Sequence, residues 1–329
     1  MAVYNISGAN IGRNAYSISG ERLVQAYDIH GNPLFEDTPT ARIETLPNQA
    51  TGTDSGYSFW LSSQGYRYPL YDVVDFLSDS VSYQSSCYDE RNNVFYKFEG
   101  STTVRVYNSS FQRTGTITLP QFAGHNNDAC YYSGKIYLPG GDDFTGIYEW
   151  DISTNTISEL PVIGVPSPTS APKRTSTAIC NVPNEAGFLY IAYVDFQTNE
   201  LTHNPDDKLG IYKYNIATHE AALVAEYPWD CVYSQGMEIC EGVLYIACNS
   251  PTTGTPSNYN GITLKAFRID NWTALKSLYL TDAIETEGMC KYPYSDTSEL
   301  MMGIAHYGTL AKATRFSVPY RLIQANELT

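Results

Sequence analysis

Nowhere in its 329 residues does the sequence carry a run of about 18 apolar residues, so a membrane-spanning helix is not expected. Positive charge is scarce. Lys and Arg number 20 against 35 Asp and Glu, for a formal net charge of −15. Phosphate recognition rests on clustered Lys and Arg, so nucleic acid and anionic membranes are excluded as main partners. The seven Cys contain no CxxC pair and no metal-ligand spacing, and their number is odd. Reduced thiols in a protein made in a cytoplasm are expected, with no cofactor and no metal. The N-terminus lacks a basic start followed by an apolar stretch, so no secretory signal is expected. There is no GxSxG nucleophile, HExxH helix or phosphate loop, and no catalytic residue is assigned. Gly140–Asp143 (GGDD) and Asn204–Asp207 (NPDD) lack the full ligand series of a calcium loop and read as solvated turns.

What the sequence does have is aromatic and turn-forming. It holds 28 Tyr, and 43% of it is hydrophobic, enough for a substantial core. Tyr with Gly, Asn, Ser and Thr points to an all-β protein with many turns and a polar, aromatic surface. The most regular unit is GKIYLPGGDDFTGIYEWDISTNTISELP, Gly134–Pro161. Three β-runs separated by turns follow a fourth short run in GHNNDACYYS, and four strands in about 40 residues make one propeller blade. The same grammar recurs over Ser82–Pro120, Thr175–Pro228, Tyr233–Thr281 and Glu285–Glu327. A five-bladed β-propeller is therefore expected. The second run of each unit keeps apolar β-formers side by side, as in a strand covered on both faces.

Cys87, Cys130, Cys180, Cys240 and Cys290 each fall on the first run of one unit. Free Cys behaves as a small buried hydrophobe, which suits the crowded innermost strands. Cys231 and Cys248 lie outside this pattern.

Each first run is preceded by a polar step: Tyr83-Gln84, Asn126-Asn127, Arg174-Thr175, Ser234-Gln235 and Thr286-Glu287. Strands entering around one axis would gather these residues at one mouth. The longest connections, Val194–Lys208 and Asn249–Gly261 and Val162–Arg174, are expected at the same mouth, where recognition usually resides. The expected ligand-binding residues are Gln84, His125, Asn127, Asp128, Arg174, Gln235, Glu238, Glu285 and Glu287, with Tyr259 on the rim. Paired carboxylates among Asp128, Glu238, Glu285 and Glu287 would also suit glycoside hydrolysis, although no spacing singles out a pair. The alternative to both is satisfaction of backbone groups and of channel water.

Residues 1–34 repeat one phrase three times: YNISGANI (Tyr4–Ile11), YSISGERL (Tyr16–Leu23) and YDIHGNPL (Tyr27–Leu34). Each copy can form a short strand and a bend, too little to be stable without a pairing partner. The expected division is an attachment segment over 1–36, a linker with some β-structure over 37–81 and the propeller over 82–329.

Two resemblances bear on these features. Gly134–Pro161, with its GKIYLPGG and IYEWD, resembles a kelch repeat over that one unit; the double Gly is absent from the others. The triplet resembles the N-termini of tail and appendage proteins of bacteriophages and prophages, which carry short Y-x-I-x-G-x-x-L copies before a variable domain. That second resemblance implies a virion protein assembled in the bacterial cytoplasm, a homo-oligomer held to other virion proteins by its N-terminal repeats. Its propeller would bind a host cell-surface glycan, since Tyr can stack on sugar faces. A glycoside hydrolase and a purely structural virion component are the alternatives.

Overall fold

The computed structural model describes residues 25–27, 33–36, 53–61, 66–72, 83–100, 102–121, 126–140, 146–166, 175–196, 206–250, 261–280, 285–292, 299–306 and 309–317. Among them every regular element is a strand, and no helix is long and apolar enough to cross a membrane. The chain divides into two compact units, Met1–Ile43 and Glu44–Thr329.

In the first unit, β1 (Gln25–Tyr27) pairs antiparallel with β2 (Pro33–Glu36), so the third copy of the repeated phrase folds back on itself with Tyr27 opposite Pro33. The first two copies lie outside the described residues.

The second unit is all-β, with four sheets in a propeller-like arrangement. Its first two strands are β3 (Thr53–Leu61) and β4 (Tyr66–Asp72). One sheet holds β5 (Ser85–Asp89), β6 (Val94–Glu99), β7 (Thr103–Tyr107) and β8 (Arg113–Thr118). The next holds β9 (Cys130–Tyr132), β10 (Lys135–Pro139), β11 (Ile147–Asp151) and β12 (Thr156–Leu160). A third holds β13 (Thr175–Asn181), β14 (Phe188–Asp195), β15 (Lys208–Asn215) and β16 (Ala221–Pro228). The remaining strands are β17 (Ser234–Cys240), β18 (Val243–Asn249), β19 (Ile262–Arg268), β20 (Leu278–Leu280), β21 (Glu285–Tyr292), β22 (Glu299–His306) and β23 (Thr309–Ser317). They join β3 and β4 in one nine-stranded sheet, ordered β17-β18-β19-β20-β3-β4-β23-β22-β21.

The expectation of five separate blades is thus corrected to four sheets. Two of the expected units are spliced by the β3–β4 hairpin. Tyr279 of β20 pairs with Trp60, and Thr314 and Arg315 of β23 pair with Asp72 and Tyr71. The position beside β23, expected for the last run of the Glu285–Glu327 unit (Arg321–Glu327), is taken by β4 from the segment expected as a linker. Arg321–Glu327 itself lies outside the described residues.

Burial follows strand position. The second strands are nearly continuous buried runs, as in VFYKFE of β6 and VLYIACN of β18, because a neighbouring sheet covers each face. The outer strands β8, β12 and β16 are largely exposed. Short turns between strands use side-chain caps. Asp151 accepts the amides of Ser153 at 2.9 Å and Thr154 at 3.2 Å, and Asn155 follows in the left-handed region at φ 52°.

The innermost strands β5, β9, β13, β17 and β21 lie side by side in that order, and β21 returns to β5. Five apolar clusters fill the seams between successive faces, and each takes one inner-strand cysteine: Cys87, Cys130, Cys180, Cys240 and Cys290. All are buried free thiols. In the seam holding Cys87, the fully buried Trp150 stands edge-on to Tyr96 and Phe98, with centroids 6.2 Å away from each.

Candidate functional site at the axial mouth

The antiparallel register sets which groups share an end of the ring. Thr175 at the start of β13 lies opposite Asp195, which lies opposite Lys208, so the connection from β14 to β15 emerges where β13 begins. Ser234 of β17 lies opposite Cys248, and Asn249 opposite Ile262, at the connection from β18 to β19. The polar steps and the ends of the longest connections therefore occupy one end, the mouth.

Asp128, two residues before β9, lies farther along the axis, level with the middle of β13 and β17. Its Oδ2 accepts the amide of Ile179 on β13 at 2.9 Å and that of Met237 on β17 at 3.0 Å. One side chain thus ties together three inner strands. Asp128 is fully buried. Burial pushes its carboxyl well above the ordinary carboxylate range. The amides of Ile179, Ala129 and Met237 oppose that shift, and the charge of Glu238 adds to it.

Two bulges shape the opposite side. Gln235 is the extra residue of β17 between Ser234 and Gly236, and Gly288 is the extra residue of β21 between Glu287 and Met289. A Cβ on Gly236 would collide with the backbone at Met289 and Gly288. Gly288, at φ 57°, lies against Ser85 of β5. Only glycine lets β17, β21 and β5 approach this closely. The bulges bring Gln235 Nε2 to Glu285 Oε1 at 3.3 Å, and Gln84 to a hydrogen bond with Glu287. Glu287 is 7% exposed, and burial, then the adjacent Glu285 charge, push its carboxyl well above the ordinary range against the Gln84 bond. Burial pushes up Glu285 as well.

Several buried polar atoms at this end and along the axis have no hydrogen-bond partner among the described residues: Ser85 Oγ, Asn126 Oδ1, Asn127 Oδ1, Asp128 Oδ1, Gln235 Oε1, Asn249 Nδ2 and Glu287 Oε2. All but the Asn249 amide nitrogen are oxygens. An unsatisfied buried polar atom costs about 1–3 kcal/mol, so a set of them in one place is the mark of a missing partner. The arrangement can receive a group rich in hydroxyl or other donor hydrogens. No group of three or more His, Cys, Asp or Glu is placed to hold a metal ion among the described residues.

Of the residues expected from the sequence, Gln84, Gln235, Glu285 and Glu287 come together at the mouth. Asp128 and Glu238 do not. They lie farther along the axis, near enough for the Glu238 charge to act on Asp128, and one Glu238 carboxylate oxygen accepts the Ile239 amide at 2.8 Å. Burial raises the Glu238 carboxyl, against the positive charge and amide of Lys291. Asn127 immediately precedes Asp128, and among the described residues no hydrogen bond joins it to the four at the mouth. His125, Arg174 and Tyr259 lie outside the described residues. Sequence reasoning missed Ser85, Ser176 and Asn249. Ser176 Oγ accepts the Ser234 amide at 2.6 Å, and Asn249 Oδ1 accepts that of Thr286 at 3.1 Å. Each joins neighbouring inner faces at the mouth. Their only sequence signal is a polar residue at the mouth end of an otherwise apolar strand.

No protein-family model matches the chain. No curated protein matches it either. Among solved structures it is similar to the Kuenenia stuttgartiensis hydrazine synthase, with 10% identity and a TM-score of 0.40 over 73% of this chain and 67% of that one. It is also similar to the tail fibre of Staphylococcus aureus phage P68, with 13% identity and a TM-score of 0.39 over 72% of this chain. The match spans 50% of the tail fibre's length. At these scores neither likeness bears on activity.

Proposed function

We propose that this chain is a virion appendage protein whose propeller-like unit binds a neutral cell-surface glycan at the axial mouth. The observation that carries the binding reading is the pair of buried oxygens lacking donors at Gln235 and Glu287. Sugar hydroxyls supply donors in the required number and pair well with carboxylate and amide oxygens. A net charge of −15 selects against phosphorylated or sulfated sugars. The appendage reading rests on the N-terminal triplet, which would pair with other virion proteins or with further copies of this chain.

The test is a glycan array probed with the full chain, followed by titration of a neutral hit. Gln235→Ala or Glu287→Ala should weaken binding about 5- to 150-fold, the equivalent of roughly 1–3 kcal/mol. Unchanged binding with both substitutions, or no binding to any neutral glycan, overturns the reading.

A second reading draws on the contact environment of Glu285 and Glu287. Two adjacent carboxyls, both pushed toward the protonated form, suit an acid paired with a nucleophile or base in glycoside hydrolysis. Release of reducing sugar from a bound polysaccharide, lost in Glu287→Gln, would favour it over binding alone.

A further inference from the structure

Cys231 and Cys248 stand apart from the five inner-strand cysteines, and the mouth does not use them. Cys231 lies on the link from β16 to β17, and Cys248 lies on β18. The link pairs with the end of β18: the Val232 amide donates to Asn249 O at 2.9 Å, and the Asn249 amide donates to Tyr233 O at 3.0 Å. This pairing holds the two sulfurs 2.8 Å apart, with Cys248 Sγ donating to Cys231 Sγ. Both residues are buried, at 3% and 0% exposure. Cys248 Sγ also lies 3.2 Å from Thr263 O. Lys265, held by Asp230 at 2.5 Å, is close enough for its charge to act on both sulfurs.

We propose that Cys231 and Cys248 form a peroxide-oxidised dithiol that closes into a disulfide between the β16–β17 link and β18. A disulfide requires sulfurs at about 2.05 Å, so the two sulfurs, 2.8 Å apart, have about 0.8 Å to close. Cys231 is the attacking sulfur. It receives the Cys248 S–H bond and faces the Lys265 charge, whereas the Cys248 proton is held in that bond. Cys231 gives up its thiol proton, and its sulfur attacks one oxygen of hydrogen peroxide as the O–O bond breaks. Hydroxide leaves, takes that proton and departs as water, and Cys231 becomes a sulfenic acid. The Cys248 sulfur then attacks Cys231, the S–O bond breaks, and the Cys248 proton leaves with the hydroxyl as a second water. Two thiols lose two hydrogens, and one peroxide is reduced to two waters. Peroxide is small enough to reach buried sulfurs through local opening, which bulky disulfide oxidants are not. The resulting bond spans 17 positions of the chain and restricts the unfolded state.

The experiment treats the reduced full chain with hydrogen peroxide, unfolds it in iodoacetamide and digests it without reductant. The expected product is a linked peptide pair containing Cys231 and Cys248, lighter by two hydrogens and released by dithiothreitol. The other five Cys should be recovered alkylated. The oxidised chain should melt at a higher temperature than the reduced one, and dithiothreitol should reverse the shift. In Cys248→Ser, dimedone should trap a sulfenic acid at Cys231. Recovery of Cys231 and Cys248 both alkylated after peroxide treatment overturns the proposal. Trapping at Cys248 in Cys231→Ser with none at Cys231 in Cys248→Ser overturns the assignment of the attacking sulfur.

Discussion

Replacing Asp128 separates hydrogen bonding from charge at the axis. In the folded chain its Oδ2 serves the amides of Ile179 and Met237, which belong to different sheets. Asp128→Ala leaves both amides buried without that acceptor. At about 1–3 kcal/mol for each orphaned group the loss is roughly 2–6 kcal/mol. Removing a carboxylate that burial already disfavours offsets part of this, so a net loss of about 2–4 kcal/mol is expected. Asp128→Asn keeps an acceptor oxygen toward the same amides and discards the charge, and should change stability by only about 1 kcal/mol. Urea unfolding of the three proteins at neutral pH, with equal slopes, measures the difference. If the Ala variant is as stable as the parent, the bridge between sheets contributes nothing. If the Asn variant falls as far as the Ala variant, the ionised form itself is required, and the two amides outweigh burial in setting the charge of Asp128.

Asp128, Glu238, Glu285 and Glu287 all have carboxyls held above the ordinary range by burial. Stability that is present below that range is therefore lost as pH rises through the raised folded-state values, so the urea midpoint should be higher in mildly acidic than in neutral buffer. Asp128→Asn should flatten this dependence; a midpoint that rises toward neutral pH would contradict it. Gly236→Ala forces a Cβ into the backbone of β21 and should cost on the order of 3 kcal/mol or more, whereas Gly242→Ala, in open space at φ 76°, should cost about 1–2 kcal/mol. Equal urea midpoints for these two variants would mean that β17 and β21 are not in backbone contact. Removing residues 1–36 should leave the Glu44–Thr329 unit with the parent's circular dichroism and melting temperature but abolish self-association in size-exclusion chromatography; a truncated chain that unfolds defeats the docking role of the triplet.

Features that depend on neighbouring residues were legible in the sequence. The all-β class follows from composition and from the length of the apolar runs. The inner position of Cys87, Cys130, Cys180, Cys240 and Cys290 follows from their recurrence on the first run of each unit. The shared end of Gln84, Gln235, Glu285 and Glu287 follows from antiparallel alternation, which sends every first strand in the same direction. Pairing between distant segments was not legible. A strand's sequence records how its faces are covered and not which edge it meets, so nothing in Thr53–Asp72 announced that β4 would lie against β23, more than 200 residues away. Together with the β20–β3 pairing, that pairing turns five expected blades into four sheets. The placement of Glu238 was hidden for a related reason: Gln235 and Glu238 are close in sequence, but the bulge at Gln235 and the rise of the strand carry Glu238 away from the mouth, into reach of Asp128. The Asp128 bridge exists only because neighbouring sheets meet, and the Cys231–Cys248 contact because the β16–β17 link pairs with the end of β18. Each joins groups whose proximity is decided by the packing of whole strands, and no local propensity encodes it.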